Sequence, residues 1–175
     1  CLILRIMTRD EAIQLIGPAV PEVESVWADL GAGAGLFTLA LRELLPAGVI
    51  YAVDKSPHAL WRLDFTGPVE VRITEADFTR PMDLPLLDGI LMANALHYAP
   101  EPEDTLRQLL TYLRPGGAFL LIEYEKEQPL PPWIPYPLPF RRWRALATEA
   151  GLTPPEKTGA LPSNYGHREI YAAVS

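Results

Sequence analysis

A doubly wound α/β fold with a mainly parallel sheet and helices on both faces is predicted from three observations. Strand-length apolar runs alternate with amphipathic stretches along the chain. The runs are apolar continuously rather than at every second residue, as strands covered on both faces require. The first run ends on a carboxylate and enters a turn with three alternating glycines before the first long amphipathic stretch. At 175 residues the chain suits a single domain, taken as 1–175, with one sizeable core.

The elements follow in order. Residues 1–25 form an N-terminal helix and its lead-in. Cys1 to Ile6 is apolar but too short for a secretory signal, and Met7 is a candidate start. Thr8 and Glu11 have capping-box spacing ahead of Ala12, Ile13, Leu15 and Ile16, with Gly17-Pro18 as the stop. This helix either packs on the core or acts as a flap over the site. Val26 to Asp29 is the first strand, and Gly31, Gly33 and Gly35 turn it into a helix that runs to Leu45. Val49 to Val53 is the second strand and ends at Asp54, and Ser56-Pro57 opens a helix that Gly67-Pro68 closes.

Val69 to Ile73 is the third strand and leads to Ala76-Asp77-Phe78, and Asp88 to Ala93 is the fourth. Leu106, Leu109, Leu110 and Leu113 share one helical face, broken by Arg114-Pro115-Gly116-Gly117. Ala118 to Glu123 is the fifth strand. Six prolines between Gln128 and Pro139 exclude a helix or a central strand, so residues 126–140 are set apart as a Pro and aromatic segment. Arg141 to Ala150 is a helix, and the last strands lie near Glu156 to Thr158 and Glu169 to Val174.

Bulk composition narrows the function. Net charge is −7 and the basic residues are scattered, so no nucleic-acid partner is expected. No apolar run approaches the roughly 18 residues of a membrane span, so a soluble protein is expected. Cys1 is the sole cysteine, which makes the cytoplasm the default location. No metal-ligand set enters the reading.

A carboxylate-tipped strand, a glycine turn and a second carboxylate closing the next strand suit a dinucleotide or another adenosine-containing cofactor. Asp54 lies 19 residues after Gly35, as both require. The dinucleotide fingerprint needs a further glycine three positions after its second, and Leu36 stands there. In Ala-Asp-Leu-Gly-Ala-Gly-Ala-Gly, Tyr-Ala-Val-Asp-Lys, Glu-Ala-Asp-Phe, Asp88 to Tyr98 and Leu-Arg-Pro-Gly-Gly, the chain resembles the class I S-adenosylmethionine-dependent methyltransferases. The similarity is greatest to small-molecule members of the type 11 group and covers Trp27 to about Glu123.

That resemblance implies a Rossmann-like sheet of seven strands with the last antiparallel, and S-adenosylmethionine as cofactor. It puts Gly31, Gly33 and Gly35 beneath the methionine portion with Asp29 in support, and Asp54 on the ribose hydroxyls with Lys55 beside the adenosine. It gives Asp77 the adenine amino group, sets Phe78 against the ring, and places Asn94 at the cofactor edge of the fourth-strand motif. A small-molecule acceptor would then take the methyl group in line, and a hydroxyl acceptor would need a base. His97 is the first candidate, with Tyr98 and Glu123 behind it. Trp133, Tyr136 and Phe140 would form a preformed apolar wall.

Each assignment has a plainer rival. Asp77 can be a turn residue, His97 a polar strand end, and the aromatic wall a cap on exposed core. The whole chain can be a binding or regulatory subunit that has lost catalysis, or, less favoured because of Leu36, a nicotinamide-dependent oxidoreductase.

Overall fold

The structure, a computed structural model, describes residues 7–162 and 169–175; the expectations for Cys1 to Ile6 lie outside them. The elements run α1 (Arg9–Ile16), β1 (Ser25–Leu30), α2 (Leu36–Leu44), β2 (Gly48–Asp54), β3 (Val69–Glu75), β4 (Leu87–Ala93), α3 (Pro102–Leu110), β5 (Leu113–Tyr124), α4 (Phe140–Glu149), β6 (Glu156–Pro162) and β7 (Glu169–Val174). The seven strands form one sheet in the order β3-β2-β1-β4-β5-β7-β6. β1 to β5 pair parallel, and β7 is antiparallel to both neighbours.

Continuous apolar strands produce two cores, one on each face. Along β5, Phe119 and Leu121 join Leu106, Leu109, Trp143 and Leu146 from α3 and α4, whereas Leu120 and Ile122 join Leu15, Ile16, Phe37 and Leu41 from α1 and α2. Chain order reverses between β1 and β4, so the crevice at their carboxyl ends is the sheet's switch point. The glycine turn follows β1 there, and Asn94 follows β4.

α1 takes the packing role rather than that of a flap. Its capping box is complete: the Glu11 N–H donates to Thr8 Oγ1 at 3.2 Å and the Thr8 N–H to Glu11 Oε2 at 2.9 Å. The helix lies against α2, β6 and β7, and the Thr158 hydroxyl donates to the Leu15 carbonyl at 2.8 Å.

Two expectations are corrected. The helix predicted from Ser56 to Gly67 is only a 3-10 turn at Leu60–Arg62. Leu60 is its one buried residue, and Asp64 Oδ1 takes the Thr66 N–H at 2.9 Å, a local turn that competes with helix. Leu113 is not on the α3 face: the helix stops at Leu110 and Leu113 pairs with Leu87 in β5. The register then slips, because Gly89 pairs with Ala118 and the Arg-Pro-Gly-Gly residues bulge out of β5. Phe140, expected in the aromatic wall, packs toward β7. Its ring meets Tyr171 edge-on at 5.5 Å beneath Lys157, whose Nζ is 5.0 Å from the Phe140 ring centroid.

The segment between β5 and α4 is fixed at both ends. Phe140 N–H donates to Glu125 Oε1 at 3.2 Å, and Lys157 Nζ bridges Glu125 Oε2 at 3.2 Å and Glu169 Oε1 at 2.9 Å. The buried Tyr171 hydroxyl donates to the Leu138 carbonyl at 2.7 Å.

Candidate active site

The glycine turn is shaped by its own packing as much as by an open face. All three glycines have positive φ, 75° at Gly31, 55° at Gly33 and 84° at Gly35. A Cβ on Gly31 would lie 2.6 Å from the Ala95 Cβ, and one on Gly35 would lie 2.5 Å from Leu63 Cδ1. Gly33 differs: only the Gly31 carbonyl oxygen, at 4.0 Å, comes near its missing Cβ.

Asp29 ends β1 just below the turn and is 1% exposed. Thr38, in the first turn of α2, donates its hydroxyl to Asp29 Oδ2 at 2.5 Å. Burial pushes the Asp29 carboxyl up to about 7, helped by the nearby charge of Asp54 and opposed by the Thr38 hydrogen bond. Thr38 was not foreseen; its signal was a hydroxyl nine residues after Asp29 on the facing helix.

Asp54 ends β2, and its carboxylate ties two loops together. Oδ2 accepts the Gly33 N–H and Oδ1 the Ser56 N–H, each at 2.8 Å. The predicted ribose-binding carboxylate thus stands directly against the glycine turn, oriented by backbone donors. Lys55 Nζ reaches Asp77 Oδ2 at 3.0 Å. Asp77 Oδ1 meanwhile accepts from the Thr79 N–H at 2.9 Å and hydroxyl at 2.7 Å. Against the cost of burial, those bonds and Lys55 hold the Asp77 carboxyl below its ordinary value. Asp77 is therefore a turn residue in this structure as well as a neighbour of Lys55. Phe78 is 7% exposed and packs under the turn, with Cε1 3.5 Å from the position a Gly31 Cβ would take.

Asn94 ends β4 in a left-handed conformation, φ 51°, with its N–H on the Ile122 carbonyl at 2.8 Å. A non-glycine residue held there is strained, and among the described residues its buried Oδ1 has no partner. Three residues on, His97 sits in a 3-10 turn, Leu96–Tyr98, and is 1% exposed. Its Nδ1 lies 2.7 Å from Glu123 Oε2, and its backbone N–H donates to Glu123 Oε1 at 3.2 Å. One carboxylate at the end of β5 thereby holds both the ring and the main chain of residue 97. With Nδ1–H facing the carboxylate, Nε2 is left as the basic nitrogen, and among the described residues it is buried without a partner. The sequence offered Glu123 only as an alternative base; its orienting role joins positions 26 residues apart.

A family model described as "Methyltransferase domain" matches residues 28–119, just over half the chain. The chain belongs to this family, the class I S-adenosylmethionine-dependent methyltransferases. It is 29% identical over 116 residues to the 2-methyl-6-phytyl-1,4-hydroquinone methyltransferase of Arabidopsis thaliana chloroplasts, covering 65% of this chain and 34% of that protein. The chain spans about a third of that relative's length. Among solved structures, a methyltransferase from Aquifex aeolicus superposes with a TM-score of 0.66 at 17% identity, covering 97% of this chain and 99% of that one. Human N-acetylserotonin methyltransferase in complex with S-adenosylmethionine gives 0.63 at 19% identity, covering 95% and 56%. These two likenesses are of fold.

The family's cofactor is S-adenosylmethionine, and the methyltransferase residues around the switch point fit it. A Cβ-free position opens at Gly33, and unsatisfied or ionisable acceptors stand at Asn94 Oδ1 and Asp29. A cofactor with two cationic groups calls for acceptors of this kind.

Proposed function

We propose that the protein transfers a methyl group from S-adenosylmethionine to a hydroxyl of a small molecule, with His97 as general base and Glu123 as its positioning residue. The observation that carries this is the buried, unpartnered His97 Nε2, backed by a carboxylate on Nδ1 at 2.7 Å. A buried polar atom left without a partner costs about 1–3 kcal/mol, which a ligand's hydrogen bond would recover.

In this reading Asp29, Gly31, Gly33, Gly35 and Asn94 hold the methionine portion, Asp54 the ribose, and Lys55 and Asp77 the adenosine end. Phe78 supports the turn from below. When bound, the cofactor supplies an electrophilic methyl group. The acceptor hydroxyl would give its proton to His97 Nε2, which would leave its oxygen free to take the methyl group that the cofactor would supply. Glu123 stabilises the imidazolium so formed, which later loses its proton to solvent. Residues 126–140 cover the acceptor, since the Tyr136 N–H is bonded to the His97 carbonyl at 3.0 Å. That cover must lift for an acceptor to reach Nε2.

The relatives' printed names support a small-molecule acceptor rather than a nucleic acid, and residues 1–175 are proposed to work as one domain. Among the described residues, no helix is long and apolar enough to cross a membrane. The cytoplasmic setting is kept as a proposal, beside the chloroplast placement in the relatives' names. Family membership disfavours the oxidoreductase, and the oriented His97 disfavours a subunit without catalysis.

The test is calorimetric titration with S-adenosylmethionine, S-adenosylhomocysteine and NADH, followed by release of label from methyl-labelled cofactor to hydroxyl acceptors. Micromolar binding of the first two alone, with turnover that collapses in His97→Asn, is expected. Binding of NADH alone, or full turnover in His97→Asn, would overturn the reading.

A further inference from the structure

β3 ends the sheet: it pairs with β2 and, among the described residues, with no other strand. Proteins ordinarily guard such an edge with a proline, a bulge or a lysine. β3 has none of these. Its seven residues pair with β2 one for one, from Val69 opposite Gly48 to Glu75 opposite Asp54. The connection before it holds only the 3-10 turn at Leu60–Arg62, the connection after it holds no helix, and Val71 and Ile73 stay half-buried.

The end of the strand shows which way its main chain points. The Ala76 N–H donates to the Asp54 carbonyl of β2 at 3.0 Å. Main-chain groups alternate in direction along a strand, so Glu70, Arg72 and Thr74 turn theirs to β2 while Val69, Val71 and Ile73 turn theirs off the sheet. Among the described residues, no loop takes up those outward groups.

The charges on this edge are complementary to themselves. Laid antiparallel about Val71, two β3 strands set Glu70 of each copy opposite Arg72 of the other, and Val69 opposite Ile73. The valine and isoleucine pairs then exchange main-chain bonds, and Glu70 and Arg72 fall on the non-bonded positions, where opposite side chains stand closest. The next registers on either side are opposed, because they bring two Glu70 or two Arg72 side chains together. Within one copy Arg72 Nε already meets Glu70 Oε1 at 2.8 Å, with side chains 50% and 56% exposed, and Arg72 Nη1 donates to the Tyr51 hydroxyl at 2.8 Å. A second copy adds another carboxylate to each guanidinium.

We propose that the protein forms a two-fold dimer in solution through β3, paired antiparallel about Val71 so that the two sheets become one. The partner is a second copy of this chain because the strand's order of charges fits its own reverse. This goes beyond methyl transfer and does not depend on it.

Analytical ultracentrifugation of the full chain and two charge reversals tests the pairing. Glu70→Arg sets guanidinium groups against each other across the edge, and Arg72→Glu does the same with carboxylates. Each variant alone should dimerise at least about tenfold more weakly than the wild type. Mixed in equal amounts, the two variants carry complementary strands and should dimerise again. Circular dichroism checks that each is folded, and a further measurement needs no substitution: amide exchange at Val71 and Ile73 of the wild type should slow as its concentration rises. A wild type that stays monomeric at about 100 μM, single variants that dimerise as well as the wild type, or a mixture that stays monomeric would overturn the proposal. So would exchange at Val71 and Ile73 that is independent of concentration.

Discussion

Asp29→Asn has a signature that separates titration from packing. The Asp29 carboxyl titrates at about 7 in the fold and near 3.9 in an unfolded chain. Between those values the native state keeps a proton that the unfolded state has released, so stability falls as pH rises through the window. Linkage from pH 5 to pH 8 gives a loss of about 2–3 kcal/mol from this one group. Asparagine does not titrate, and its amide oxygen can still accept the Thr38 hydroxyl. Its buried NH2 carries a cost of about 1–3 kcal/mol that is the same at both pH values. Urea unfolding of both proteins without cofactor, at pH 5 and pH 8, therefore isolates the charge. The variant should gain about 2–3 kcal/mol on the wild type between the two. A difference constant to within about 0.5 kcal/mol would show that Asp29 holds no extra proton, and the argument from burial would fail.

Four further outcomes are expected. Cofactor affinity should rise with pH through about 7, because a cation beside Asp29 favours its ionised form; calorimetry across pH should show proton release, which Asp29→Asn abolishes. Glu123→Gln should lower kcat by about 10²–10⁴ and alter its pH profile while leaving S-adenosylhomocysteine affinity unchanged; an unaltered profile would make the His97 contact merely structural. Gly33→Ala should cost only about 1–2 kcal/mol of stability for its positive φ but weaken cofactor binding, whereas Gly35→Ala should also damage the fold against Leu60 and Leu63; thermal melts with and without cofactor separate the two. Tyr171→Phe should cost about 1–2 kcal/mol by orphaning the Leu138 carbonyl, measured by urea unfolding.

Strands were legible because burial on both faces writes itself as continuous apolar runs, as in Val49 to Val53 and Phe119 to Ile122. The glycine turn and Asp54 were legible because their spacing is local. What was hidden depended on distance or competition. Glu123 orients His97 through a contact between two strand ends, and nothing in either segment announces the other. The turn at Leu60–Arg62 failed to extend because one buried leucine and an Asp64 turn outweigh a favourable start at Ser56-Pro57. Asp77 shows both readings at once: it braces Thr79 and also holds Lys55.

The place of β7 sets an order of assembly. It is made after β6 yet inserts between β5 and β6, so the apolar edge of β5 stays uncovered until residues 169–174 arrive. The same strand brings Tyr171, whose hydroxyl fixes Leu138 at the end of the proline-rich segment, and Glu169, which completes the clamp on Lys157. The glycine turn can form from the first half of the chain, whereas the segment ending at Leu138 locks only when this strand docks. A chain released early would present a bare strand edge, a species prone to aggregate.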